Sequence, residues 1–216
     1  MRVLKDVDLT GKTILITGTT AGIGKETARV LALKGAHVVM ANRNLKLSEE
    51  LRNEIYKETP HRKIDIVQLD LSSLASVKHA AEEFLAKKWP LHVLILNAGV
   101  NYPPSPVTKD GYEVTFGINH LGHFSLIREA SIFSTIYALL LKPFGKNVEQ
   151  GAATTVYCAT SPYVENESGR YYADCADAEK DLNKALARDE NFQDALWSKS
   201  LEFIQKFEQN QSHSRL

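Results

Sequence analysis

The chain has 216 residues, 44% of them hydrophobic, with 26 basic and 26 acidic residues. That length suits one domain with a sizeable core. The cancelled charge leaves no long-range field to gather nucleic acid or an anionic membrane, which excludes both as the expected main partner.

Residues 1–8 mix acids and bases and hold no apolar run of signal-peptide length, so a cytoplasmic protein is expected. Thr13–Thr17 is a short apolar, β-branched run bounded by Gly11 and Gly18, which predicts a strand buried on both faces. Ile23 to Lys34 follows at helical period and Gly35 closes it as a C-cap candidate. His37–Ala41 reads as the second strand, Ser48–Lys57 as a charged helix, Ile64–Leu69 as the third strand, 73–88 as an amphipathic helix and Leu91–Leu96 as the fourth strand. The alternation predicts an α/β chain, a Rossmann-like doubly wound parallel sheet with right-handed crossovers. Beyond it, the apolar stretch Ile132–Leu141 is far short of the roughly 20 residues that span a bilayer. No transmembrane segment is expected, while peripheral membrane contact and self-association stay open. Cys158 and Cys175 lack metal-ligand spacing and read as reduced thiols, so no metal site is expected. Residues 209–216 read as a disordered polar tail.

Gly18, Gly22 and Gly24 lie between the first strand and its helix, where a dinucleotide's phosphates would meet unpaired N–H groups at the positive end of the helix dipole. Gly18 permits the tight turn, Gly22 a close approach of backbone to cofactor, and Gly24 close packing of helix on sheet. The alternative is a merely structural glycine-rich turn. At the end of the second strand, where NAD-binding folds place a carboxylate, the chain has Asn42 and Arg43. An arginine there suits a 2′-phosphate, so NADP is preferred over NAD, with Lys25 adding positive charge to the turn. Arg43 also reads as an ordinary solvated surface residue.

Thr17 to Gly24, Asp70, Asn97-Ala98-Gly99 and Asn119 within Gly117–Gly122 resemble successive motifs of the short-chain dehydrogenase/reductase family. Ala41–Asn44 and Asn119–Phe124 resemble its retinol-dehydrogenase-like branch, and Gln150–Ala159 resembles the tail of the WW-domain-containing oxidoreductase branch, although no WW module is present. The resemblance implies a dinucleotide held by Thr17, Gly18, Thr20, Gly22, Ile23, Gly24, Lys25 and Arg43. It further implies that Asp70 and Leu71 lie beside the adenine, that Asn97, Ala98 and Gly99 line the central wall, and that Asn119 is a member of the catalytic tetrad. Without the family, Asp70 reads equally as a cap or turn residue and Asn119 as a satisfied helix amide. The implied reaction is oxidation or reduction of a small apolar, retinoid- or steroid-like alcohol or carbonyl.

That chemistry needs a tyrosine whose high pKa is lowered by a lysine four residues later. None of the eight tyrosines has one; Tyr137 comes nearest, with Lys142 five residues on. Around Glu129–Ser131 the chain passes directly to residues resembling a later part of the fold, which implies an internal deletion, such as skipped exons, of strands 5–6 and the Ser and Tyr-x-x-x-Lys segment. The expected architecture is one incomplete domain over 1–208. Its dinucleotide-binding half is 1–128, and 129–208 is a largely helical remnant of the C-terminal half. The fourth strand then becomes an exposed apolar edge prone to association, and Gly169–Asp174, resembling the family's last strand, stays unpaired or joins the fourth. A catalytically deficient NADP-binding oxidoreductase, a non-catalytic regulatory or decoy protein, and an unstable truncated isoform all remain open.

Overall fold

All five residues of Thr13–Thr17 are buried, so this strand, β1, sits inside a sheet with both faces covered. In the computed structural model, which describes residues 7–101, 105–130, 148–182 and 187–213, β2 (His37–Asn42) and β4 (Val93–Ile95) flank β1, and β3 (Ile64–Gln68) lies beyond β2. Every pairing in this sheet is parallel, with Leu15 beside Val39 on one side and Leu94 on the other. Parallel neighbours need crossovers, and α1 (Gly22–Leu33), α2 (Leu45–Glu58) and α3 (Leu74–Ala86) supply them.

The helix ends follow local chemistry. Gly35, at φ +88°, and Ala36 donate their N–H groups to Ala32 and Leu31 in a Schellman closure of α1. Asn44 caps α2 by accepting from the Leu47 N–H. Ser73 and Asp110 accept from the Ser76 and Leu74 N–H groups at the start of α3.

Alternate strand residues feed two cores. Ile14, Ile16, Val38 and Met40 pack with Leu31, Leu51 and Ile55 of α1 and α2, and with Val156 of a later helix, α5 (Val148–Thr160). Leu15, Val39, Val67 and Leu94 face the other way, onto Val77 and Phe84 of α3 and onto Leu126. α4 begins at Val114–Phe116, winds as a π-helix over Gly117–Gly122 and continues through His123–Ala130. The final helix, α6 (Glu190–His213), sets Ile204 against Leu121 and Phe124 of α4. Ser200, fully buried, meets His120 Nε2 at 2.9 Å.

Two expectations are corrected here. Gln209–His213 belongs to α6 rather than to a disordered tail, because Phe203 and Phe207, just upstream, anchor the helix beside α4 and Arg128 of α4 pairs with Glu208. The Gly169–Asp174 segment neither stays unpaired nor joins β4. Its Tyr172–Ala173 forms β5, antiparallel to β6 (Ala176–Asp177), across a turn whose two central residues, Asp174 and Cys175, both have positive φ, as in a type I′ hairpin. Among the described residues β1 is the only strand paired with β4.

Candidate functional site

The glycine turn leaves the C-terminal end of β1, and its shape is set by contact with the segment after β4. Gly18 has φ +72°, and a Cβ there would lie 2.7 Å from the Ala98 Cα. A methyl on Gly24 would overlap the Gly18 carbonyl oxygen and the Asn97 side-chain nitrogen. Both positions therefore need glycine for close approach. Asn97 locks the arrangement by donating its side-chain amide to the Thr17 and Gly18 carbonyls, each at 2.9 Å.

Thr17 is the hub. Its Oγ1 accepts from the Asn97 and Ala98 N–H groups, both at 3.0 Å, and stands 3.0 Å from His123 Nε2. With its lone pairs engaged, the hydroxyl donates to Nε2, which places the imidazole hydrogen on Nδ1, toward the Asn119 carbonyl at 3.2 Å. Burial lowers the His123 pKa to about 4, so this bridge is neutral.

Asn42, regarded in the sequence only as the absence of a carboxylate, is buried and clamps the turn from the other side. Its Oδ1 accepts from the Thr19 N–H at 2.7 Å, and its Nδ2 donates to Thr19 Oγ1 at 2.7 Å and to Ser48 Oγ at 2.9 Å. The available signal was an amide at a buried strand end directly opposite a glycine turn. His123 was missed as well, although it lies four residues after Asn119 on one helix face.

The N-terminus of α1 has no side-chain cap and no acid in its first turn. The N–H groups of Gly22, Ile23 and Gly24 therefore face the turn with the helix dipole behind them. Thr20 and Gly22 border this opening, half-buried and exposed respectively, and Arg43 is exposed, with no hydrogen bond or ion pair among the described residues. Lys25, beside this opening, pairs its ammonium with Glu54 of α2 at 2.6 Å because α1 and α2 lie side by side, and both side chains stay about half exposed.

Farther along the strand ends, Asp70 accepts from the Ser72 N–H at 3.0 Å, from its hydroxyl at 2.7 Å and from Lys109 Nζ at 2.8 Å. Burial opposes its charge, yet Lys109 and Ser72 hold the carboxyl below its usual range. Leu71 beside it is buried and Gly99 exposed. Asn119, inside the π-wound part of α4, exchanges both amide groups with the Val100 backbone: Oδ1 accepts at 2.8 Å and Nδ2 donates at 2.9 Å. The structure thus brings Thr17, Gly18, Asn97, Ala98 and Asn119 into one hydrogen-bonded unit, with Gly24 and Gly99 packed against it and Arg43 at its rim. Tyr137 and Lys142 lie outside the described residues.

Residues 12–133 match the short chain dehydrogenase family. The chain belongs to that family. It is 31% identical to the WW domain-containing oxidoreductase of Homo sapiens over 297 aligned positions, which take in 95% of this chain and 71% of the relative. Retinol dehydrogenase 12 of Mus musculus is 30% identical over 281 positions, 92% of this chain and 88% of the relative. Both alignments are longer than the 216 residues present here. Among solved structures, an uncharacterised protein of Mycobacterium paratuberculosis superposes with a TM-score of 0.54 at 34% identity, over 62% of this chain. The present chain spans 47%, about half, of that solved chain. The fold is accordingly the Rossmann-like α/β sheet of an oxidoreductase family, and no helix among the described residues is long and apolar enough to cross a membrane.

Proposed function

We propose that this family member binds NADP and has lost, or retains only a small part of, the hydride-transfer activity toward a retinoid- or steroid-like alcohol or carbonyl. The observation that carries the reading is the uncapped N-terminus of α1 beside an exposed, unpartnered Arg43, with no carboxylate at the end of β2. The residues present fit a dinucleotide. The Gly22 position has open space where a Cβ would project, and the N–H groups around it have no competing acid. In this reading Gly18, Thr20, Gly22, Ile23 and Gly24 hold the diphosphate and Arg43 the 2′-phosphate. Asp70 and Leu71 border the adenine, and Thr17 with Asn97–Gly99 supports the wall beneath. When bound, the cofactor supplies the carbon that gives or takes hydride.

The proton-transfer side is the deficient one. Asn119 is the only counterpart of the family's tetrad, its side chain is engaged by Val100, and no tyrosine is followed four residues later by lysine. An internal deletion is supported by alignments longer than the chain and by β4 having one strand partner among the described residues. The reading includes one incomplete domain over 1–208, divided near 128, placed in the cytoplasm. A non-catalytic NADP-binding role follows from the same features.

The test is titration of purified chain with NADPH and NADH, followed by thermal shift, alongside a retinal-reduction assay. NADPH binding tighter than NADH binding, without turnover, is expected. Retinal reduction that disappears in Tyr137→Phe would overturn the deficient reading, and absence of nucleotide binding by folded protein would overturn the rest.

A further inference from the structure

Beside α3 an open cavity of about 460 Å³ is lined at its mouth by Leu85, Lys88, Trp89 and Pro90 and floored by buried core residues, among them Phe84 and Leu94. Close-packed interiors hold few voids larger than a water molecule, whereas this volume lies within the roughly 300–1,000 Å³ of small-molecule sites. It is separate from the glycine turn. That turn leaves the C-terminal end of β1, while the cavity reaches the surface at residues 85–90, in the connection entering the N-terminal end of the parallel strand β4.

The mouth has a specific chemistry. Leu85 and Pro90 are exposed there, and Trp89 stands edge-on to Phe84 at 5.8 Å between ring centroids. Lys88 is the one charged residue of the lining; it is exposed, and its side chain has no hydrogen bond or ion pair among the described residues. Lys88 also holds φ +54°, a left-handed position after α3 where glycine is the usual occupant. The second cation, Lys87, lies 5.9 Å from the Trp89 ring. An apolar chamber with a lysine pair at its rim complements a molecule with an apolar tail and one anionic end.

The geometry points to a binding site for an alkyl carboxylate, its chain along Leu85, Trp89 and Pro90 over the end of α3 and its carboxylate at Lys88. This site lies outside the hydride-transfer machinery, and its occupancy stabilises the fold by mass action.

Titration with octanoate, decanoate and dodecanoate, and with the alcohols of equal length, tests it, using Trp89 fluorescence in a Trp197→Phe background. Affinity should rise about fourfold per methylene until the chamber is full. Lys88→Gly should weaken carboxylate binding about tenfold and leave alcohol binding unchanged. This variant cannot be dismissed as misfolded, because glycine relieves the positive φ and the thermal midpoint should not fall. Leu85→Glu, which puts a carboxylate into the apolar mouth, should abolish both. Saturating NADPH should leave the carboxylate affinity unaltered, so this site and the nucleotide site stand or fall separately. A flat chain-length series, or equal carboxylate binding by Lys88→Gly, would overturn the assignment. So would a concentration-dependent dimer that excludes alkanoates, since the cavity would then belong to a second copy of the chain.

Discussion

Replacing Gly24 and Gly22 separately by alanine distinguishes the two tasks of the glycine turn. At Gly24 a methyl overlaps the Gly18 carbonyl and the Asn97 amide, so accommodation breaks the two Asn97 hydrogen bonds and displaces the turn from the strand. Two hydrogen bonds at about 1 kcal/mol each, with about 1 kcal/mol of overpacking, give a loss of about 3 kcal/mol. For a chain of this size that lowers the thermal midpoint by roughly 6–12 °C. Gly22 has φ +58° and nothing within 4 Å of a Cβ, so alanine there carries only the left-handed backbone cost of about 1 kcal/mol. Its methyl instead enters the space assigned to the diphosphate, and the loss of one charge-assisted hydrogen bond predicts NADPH binding on the order of tenfold weaker. Thermal denaturation paired with NADPH titration of both variants is the assay. A Gly24→Ala protein that melts within about a degree of the parent, or a Gly22→Ala protein that proves the less stable of the two, would refute this division of labour.

Arg43→Ala should weaken NADPH binding by about tenfold or more while NADH binding stays unchanged; an equal loss for both nucleotides would remove Arg43 from the 2′-phosphate. Asn42→Ala removes three side-chain hydrogen bonds and strands the buried Thr19 N–H, so a stability loss of about 2–4 kcal/mol is expected in urea denaturation. His123 gives a pH signature. Its pKa is lowered by burial to about 4, against about 6.5 when unfolded, so the unfolded state binds the proton first. The His123 contribution should be level above pH 6.5, cost about 3 kcal/mol by pH 4, and level off below. The His123→Gln protein should lose that slope; an unchanged slope would show that another group controls it.

The strand and helix order was legible because periodicity and glycine placement are local properties. Thr13–Thr17 is a strand with the expected bounds, and Gly35 ends α1 as expected. What escaped depended on which partner a polar group finds across the fold. Lys25 is cationic and adjacent to the turn, and its ion pair with a carboxylate 29 positions later arises only when α1 and α2 pack side by side. Asn42 looked like a missing acid, because its three partners come together only when β2 lies beside β1. Gln209–His213 is polar enough to read as a tail, and its helical state derives from apolar anchors one and two turns earlier. Asp70 shows both alternatives at once, a turn residue by its Ser72 bonds and a strand-end residue by its place after β3.

The hydrogen bonds that give the cradle its shape join Thr17 to Asn97, Ala98 and His123, Thr19 to Asn42, Gly18 to Asn97, and Asn119 to Val100 and His123, and none of these originates beyond residue 123. Cofactor recognition is in that sense severable from chemistry. Under the proposed deletion, a lineage that discards the proton-transfer segment still inherits the cradle, since its bonded frame closes by residue 123. Selection on nucleotide binding and selection on turnover then act on different stretches of one chain, and the first can persist after the second has ceased.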